Sequence, residues 1–363
     1  MPIPHTCPHT LRGVLPSSSA AARRSLLPRL LAALLVALAL LAVRASAQPS
    51  QPQRLSSAMV PRIGVLIPNG PPDYRILMDA FTPQATEHLG PFTFRLGLIG
   101  RVPVVLVLPP ADGPVLRSLA AQSMFEHYNI KAVLYAGTSG AHLGPGQMRI
   151  GDIVLGAKNV DFGNFFLSRT GEVLGGEFDT KAHHRPFHDL YLDPQLLPWL
   201  ACSATRVATH THFDSWVNPR FPRSSPRIFY FGVQGTSTMW LANPAFIRKV
   251  HRAFGELDED GDWYSNLAAT LYHVPFIEVS VISDSILEFP KTKRGQPTPP
   301  SPGQSSNLIA QRISNRIAVD LIRRFGNRIL AGRFTTPQQS PFPAAYFQNP
   351  THPQSLLAGL DCH

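Results

Sequence analysis

The sequence predicts an α/β protein, a three-layer sandwich with a central mixed, twisted sheet flanked by helices. Three observations carry that expectation. Short apolar runs bounded by glycine and proline alternate along the chain with stretches whose apolar residues recur at helical spacing. Two strand-like runs are separated by only two residues, so part of the sheet is antiparallel. The chain has 363 residues, 44% of them hydrophobic, which suffices for a substantial core and excludes a disordered tail, a collagen or a coiled coil.

The elements follow in order. Arg62 to Pro68 is an apolar run ended by proline and glycine, read as a buried strand with a loop that reaches Asp73. Phe92 to Ile99 and Val102 to Leu108 flank Gly100-Arg101 as a hairpin. Pro114 to His127 places Val115, Leu116, Leu119, Ala120, Ser123 and Met124 at helical spacing. Ala132 to Tyr135 is a second buried strand, running into a turn at Gly137-Thr138-Ser139-Gly140. Gly151 to Leu155 and Arg227 to Val233 read as strands, separated by a less regular stretch to about Ser225. Helices over Pro244 to Phe254 and Trp263 to Tyr272 precede the strand Phe276 to Ile282, which ends at Ser283-Asp284. A last helix, Leu308 to Phe325, sets Ile309, Ile313, Ile317 and Leu321 on one face, with Ser305 and Ser306 as caps. The domain is thus expected over 62–331, after a linker at 48–61, with an irregular tail rich in Pro, Gln and Phe over 332–363.

Charge is distributed unevenly. The chain carries 33 Lys+Arg against 23 Asp+Glu, a formal +10. Residues 1–47 hold five arginines and no acid, and Asp73 is the first acidic residue. Arg23, Arg24 and Arg29 precede the apolar run Leu30 to Val43, and Ala45-Ser46-Ala47 fits a small-x-small cleavage site. Fourteen helical residues rise about 21 Å, short of the roughly 30 Å of a bilayer core. The expectation is a cleaved signal peptide over 1–47 and a secreted or extracytoplasmic protein, free of the membrane after cleavage; a retained signal anchor is the alternative.

Residues 48–285 hold 19 basic and 20 acidic residues, and 286–363 hold 9 and 3. The body is close to neutral, and the remaining excess lies beside a proline-rich loop and on the last helix, as a solvated face would place it. With no aromatic-interleaved basic stripe and no finger spacing, a nucleic-acid partner is not expected. Without the presequence two cysteines remain, Cys202 and Cys362, as a disulfide of an oxidising compartment or as two free thiols. His183, His184, His188, His210, His212 and Asp214 suggest a metal site only if the 210–212 stretch is a strand, and no spacing completes the set, so no metal is expected.

In open α/β sheets ligands bind outside the carboxyl ends of strands. Four such ends stand out: the loop with Asp73 and Arg75, the Gly137-Thr138-Ser139-Gly140 segment, Gly235-Thr236-Ser237-Thr238, and Ser283-Asp284. Glycines there let backbone N–H groups approach an anion or a sugar hydroxyl, and the hydroxyl side chains add donors.

These motifs and their order resemble a known family. Lys131-Ala-Val-Leu-Tyr-Ala-Gly-Thr-Ser-Gly-Ala-His-Leu-Gly144, the strand Arg149-Ile-Gly-Asp-Ile-Val154 and Val274-Pro-Phe-Ile-Glu-Val-Ser-Val-Ile-Ser-Asp284 are similar to motifs of the nucleoside phosphorylase/nucleosidase superfamily. Ile63 to Ile67 and Gly232 to Gly235 fall where its first and base-binding strands belong. Members that the chain resembles, over about 62–330, are the methylthioadenosine/S-adenosylhomocysteine nucleosidases and the related secreted plant bark and vegetative storage proteins. The resemblance implies cleavage of the N-ribosidic bond of a purine (thio)nucleoside through an oxocarbenium-like state, with the departing base protonated by a positioned acid.

By resemblance that acid is Asp284, and Asp73 orients the attacking water. Thr138 matches the hydroxyl next to the nucleophile, with Gly137, Ser139 and Ser283 as further substrate-binding candidates. The Thr236 to Trp240 segment, Thr238 included, matches the stretch that holds the base, Trp240 being either a stacking partner of the purine or a core or surface Trp. The family's ribose-binding glutamate is missing: Gly261 occupies its place, with Asp262 or Asp260 as substitutes, although the acidic run Glu256 to Asp262 also reads as a solvated loop and helix N-terminus. No arginine precedes Gly137 in its strand, which favours hydrolysis over phosphorolysis and leaves Arg75 as the one candidate phosphate ligand. The family implies no cofactor, phosphate being the co-substrate of its phosphorolytic members, and implies homo-oligomers of dimer size or larger. Two readings result: an exported nucleosidase, or a catalytically degenerate storage or ligand-binding protein on the same fold, which the Gly261 departure favours.

Overall fold

A nine-stranded mixed sheet organises the molecule. The computed structural model describes residues 59–68, 74–111, 113–144, 146–163, 166–174, 189–213, 225–239, 241, 243–285 and 306–362. Asp73, Trp240, His183, His184, His188, Asp214 and the whole presequence lie outside them. Among the described residues no helix is long and apolar enough to cross a membrane.

The strands are β1 (Arg62–Leu66), β2 (Phe81–Leu89), β3 (Phe92–Ile99), β4 (Val102–Leu108), β5 (Ile130–Gly140), β6 (Ile153–Asp161), the short pair β7 (Phe166–Leu167) and β8 (Val173–Leu174), β9 (Asp189–Tyr191), β10 (Ile228–Thr236) and β11 (Phe276–Asp284). The helices are α1 (Arg75–Ala80), α2 (Pro114–His127), α3 (Leu197–Thr209), α4 (Pro244–Phe254), α5 (Trp263–Leu271), α6 (Ser306–Ala331) and α7 (Ala344–Gln348).

Across the sheet the order is β10-β6-β11-β5-β1-β4-β3-β2, with β9 added to β6. β1 is parallel to β4 and β5, β5 to β11, and β10 to β6. β6 runs antiparallel to β11, and β2, β3 and β4 form an antiparallel meander. The expected mixed α/β sheet is therefore present.

The central strands are apolar throughout because both faces are covered. In β5 the period of two sends Ala132, Leu134 and Ala136 to one face and Val133 and Tyr135 to the other. The first face packs with Ile317, Leu321 and Ile322 of α6 and Leu197, Leu200 and Ala204 of α3. The second packs with Ala120, Ala121 and Met124 of α2 and Ala269 of α5. This is the three-layer arrangement.

Several local readings change. The Gly137-Thr138-Ser139-Gly140 segment is extended strand rather than a turn, because β5 continues in register with β11, Thr138 opposite Val281 and Gly140 beside Asp284. The stretch before Ser225 contains α3, and the mostly exposed β2 was not expected. His210 does not lie on a strand: it ends α3, its Nδ1 2.8 Å from the Arg206 carbonyl. The tail after 331 is irregular except for α7, but it is packed down. Phe342 is buried, Tyr346 lies 4.7 Å from the Phe231 ring, and the Phe231 N–H donates to the Pro350 carbonyl at 3.2 Å. Cys202 of α3 and Cys362 form a disulfide, closing a span of 160 residues. The tail thus covers β10, the end strand of the sheet.

Candidate functional site

Parallel β5 and β11 end together, which sets the Ser139-Gly140 backbone beside Ser283-Asp284. The end is closed by the Ala141 N–H donating to the Asp284 carbonyl at 2.9 Å. The Ser283 hydroxyl donates to Asp284 Oδ1 at 2.7 Å. Burial raises the Asp284 pKa above the usual 3.8; the Ser283 hydrogen bond opposes the shift and the charge of Glu259 adds to it. Such a carboxyl holds its proton longer than an exposed aspartate and can deliver it to a leaving group.

Glu259 belongs to the acidic run, and this run is not a solvated loop. Glu256, Asp258 and Asp262 are each 0% exposed. The segment is threaded between the end of β5 and β10 by backbone hydrogen bonds from Leu257 N to Val233 O (2.8 Å), His142 N to Leu257 O (2.9 Å) and Gly261 N to Gly235 O (2.8 Å). Ser139 Oγ accepts from the N–H groups of Glu259 (3.2 Å) and Asp260 (2.8 Å). The Glu259 carboxylate then lies over Gly140, where an added Cβ would stand 2.5 Å from its Oε1. A side chain at 140 would displace the Glu259 carboxylate.

A buried histidine fixes the carboxylate. His142 is 3% exposed, with Nδ1 2.8 Å from Glu256 Oε1 and Nε2 3.5 Å from Glu259 Oε2. Burial pulls its pKa down, but the hydrogen bonds and charges of the two glutamates outweigh burial and push it up to about 9. At neutral pH the ring is an imidazolium held between Glu256 and Glu259, and both ring nitrogens donate. Asp258 differs. Burial raises its pKa well above the usual value, opposed by the Gly235 N–H that supports its Oδ1 at 3.2 Å.

Thr138 and Ser139 are buried beside half-buried Asp284, and the Ser139 hydroxyl is committed to holding the acidic segment. Thr236 Oγ1 accepts from Trp263 N at 2.9 Å and anchors α5, while Thr238 is exposed. Arg75 is exposed and pairs with Asp79 one turn along α1, at 3.7 Å. Asp262 is withdrawn from the substrate-facing set: it caps α5 through the Ser265 N–H (3.3 Å) and pairs with buried Arg117 at 3.2 Å. A Cβ at Gly261 would be a tight fit, 3.0 Å from Gly235 O and 3.1 Å from Thr236 Oγ1, so a glutamate there requires its neighbours to give by a few tenths of an ångström. Asp152 of the second motif is scaffold, fully buried against Arg149 and Arg227.

Glu259 and His142 are the site residues that sequence reasoning missed. Their only signal was the density of acids between a helix and a strand, together with a histidine just after the glycine-rich strand end. Among the described residues no group of His, Cys, Asp and Glu is placed to hold a metal ion.

A family model described as the phosphorylase superfamily matches residues 62–208, which bears out the resemblance read from the motifs. Solved structures share the fold. The 5′-methylthioadenosine/S-adenosylhomocysteine nucleosidase of Colwellia psychrerythraea, solved with adenine, is 14% identical at a TM-score of 0.52, over 72% of this chain and 94% of that one. The corresponding nucleosidase of Neisseria meningitidis, solved with methylthio-immucillin-A, is 14% identical at 0.51, over 72% and 99%. Native futalosine hydrolase of Helicobacter pylori is 14% identical at 0.51, over 73% and 99%. At these identities the likeness is one of fold. No curated protein sequence matches the chain.

Proposed function

We propose that the chain is an exported nucleosidase on the nucleoside phosphorylase fold, which hydrolyses the N-glycosidic bond of a purine (thio)nucleoside. The observation that carries the reading is Asp284: a carboxyl whose pKa is raised by burial, at the joint ends of β5 and β11, beside a second carboxylate. Asp284 gives its proton to the base nitrogen as the bond to the sugar breaks, so the base leaves neutral. Water then attacks the sugar carbon and gives up a proton to Asp73, its orienting carboxylate, leaving the neutral sugar. Separating charge in this way is efficient only where the acid retains its proton near the working pH.

Hydrolysis is favoured over phosphorolysis because β5 carries no arginine before Gly137 and Arg75 is exposed and paired with Asp79. No cofactor enters the scheme. Export is supported by the presequence and by the Cys202–Cys362 disulfide, a bond that persists in oxidising compartments. The family likeness and the adenine and nucleoside-analogue ligands of the structural neighbours support a purine nucleoside as the small-molecule partner.

Base release from methylthioadenosine, adenosine and inosine, with and without phosphate, tests the reading. Asp284→Asn is expected to lower release at least about 10²-fold, the usual worth of a positioned acid. Equal and negligible release from wild type and variant would remove the catalytic claim. Nucleoside binding without release would favour the storage or ligand-binding alternative, to which Gly261 points.

A further inference from the structure

We propose that a cavity walled by α1, the end of α3 and α6 binds an organic phosphate, its head group held by Arg316, Arg323 and Arg206 and its apolar body against the aliphatic part of the wall. This is a second site: it shares no residue with the strand ends around Asp284 and does not depend on the nucleosidase reading. The cavity holds about 540 Å³, within the roughly 300–1,000 Å³ of small-molecule sites. Ile76, Ala80, Val207 and Val319 supply its apolar wall.

The cationic wall follows from how α6 is built. Ile313, Ile317 and Leu321 pack on the sheet, which turns the other side of the helix outward. Arg316 and Arg323 stand there seven residues apart, two turns or about 10 Å along the axis. Both are exposed, and neither makes a hydrogen bond or ion pair with a described residue. Arg312 and Arg328 of the same helix do not line the cavity, so its concavity sets the first two apart from an ordinary solvated face.

The acids of the wall are already engaged. Asp320 lies 3.3 Å from Arg206 and 3.9 Å from Arg324, and Asp79 pairs with Arg75 at 3.7 Å. These three arginines with Arg316 and Arg323, against two aspartates, leave a net +3 around the cavity. A concavity dominated by one sign of charge focuses its field and concentrates counter-ions. Guanidinium forks match the paired oxygens of a phosphate, and the excess positive charge suits a dianion. A bare phosphate would leave the aliphatic wall in water, so the ligand that uses the whole cavity carries an aryl or alkyl group.

The test titrates the full chain by calorimetry, at fixed ionic strength, with phenyl phosphate, inorganic phosphate and benzoate. Phenyl phosphate should bind saturably and at least about tenfold more tightly than inorganic phosphate, the worth of burying a ring. It should also bind more tightly than benzoate, which carries less charge. Arg316→Ala/Arg323→Ala should weaken it at least about tenfold, the range for hydrogen bonds to charged groups. Arg316→Lys/Arg323→Lys, which keeps the charge and loses the forks, should weaken it less. Arg312→Ala/Arg328→Ala removes equal charge from the same helix outside the cavity and should leave the affinity unchanged. All four arginines are exposed, so urea midpoints should match wild type; if the alanine pair at 316 and 323 fails to fold, the glutamine pair replaces it.

Absence of saturable binding in wild type overturns the proposal. So does equal weakening by the two alanine pairs, which would reduce the site to a basic surface. Inorganic phosphate binding as tightly as phenyl phosphate would remove the apolar wall from the account, and benzoate binding more tightly than phenyl phosphate would remove the phosphate head; either result overturns the ligand class.

Discussion

Two carboxyl groups in the site meet opposite surroundings. Burial raises the Asp284 pKa and the charge of Glu259 adds to the rise, while the Ser283 hydroxyl opposes it. Glu259 faces an imidazolium. If Asp284 is the acid, the alkaline limb of kcat/KM follows its ionisation. Replacing Glu259 by Gln removes a negative charge that raises the Asp284 pKa, so the limb should move to lower pH. A limb that stays in place or moves up would show that another group controls it. Gly261 yields a second expectation. Gly261→Glu, which puts a glutamate at the position where the sequence resemblance implies one, must push against Gly235 O and Thr236 Oγ1. Overpacking of this kind costs about 1–3 kcal/mol, to be read as a lower urea midpoint, and base release should not improve. A stable, faster Gly261→Glu protein would contradict the account of the acidic run given above.

At the scale of elements, the segment 256–262 decides the site, and its placement was the least legible part of the sequence. Pro114–His127, Pro244–Phe254 and the 92–108 hairpin carry clear periodicity, and the structure has them with the expected bounds. α3 was missed because eight of its thirteen residues are buried, leaving no polar face to mark a period. β2 was missed for the opposite reason: Phe81 is its one buried residue. Asp284 and the Gly137–Gly140 strand end were legible through motifs at strand ends. Glu259 and His142 were not, because a run of acids is normally solvated. Only the crossing between β5 and β10, which buries Glu256 and Asp258, makes it a wall.

That crossing has a pH signature. His142 has a folded pKa of about 9 against about 6.5 when unfolded. A raised pKa means that the fold binds the proton more tightly. The stabilisation is therefore complete below about pH 6.5 and is lost as pH rises through about 9, amounting to roughly 3 kcal/mol at most. Denaturant unfolding of wild type and His142→Gln should differ most near pH 6 and converge toward pH 10. A constant difference across that range would indicate lost packing alone.

At the scale of the whole molecule, the near-neutral body and the ordered tail explain why a basic chain need not bind a polyanion. The chain after 285 carries most of the positive excess beyond the presequence, and its last thirty residues are built onto the sheet rather than extended from it. Sheets with an uncovered end strand pair with other chains. Here β10 is covered by the Pro350 carbonyl, by Phe342, Tyr346 and Phe347 around Phe231, and by the disulfide that ties Cys362 to α3. In a chain-entropy account a closed loop of this length stabilises the fold by up to about 5 kcal/mol. Cys362→Ser should therefore lower the urea midpoint under oxidising conditions and make stability insensitive to reductant, whereas wild type should fall to the variant's level when reduced. Truncation after Gly332 removes the cover as well as the bond. It should expose Phe231 and the β10 backbone, and it should give a protein that self-associates at concentrations where Cys362→Ser does not, as read by light scattering. If both proteins scatter alike, the bond is what protects the edge; if neither associates, the tail is not the cover that its contacts with β10 make it.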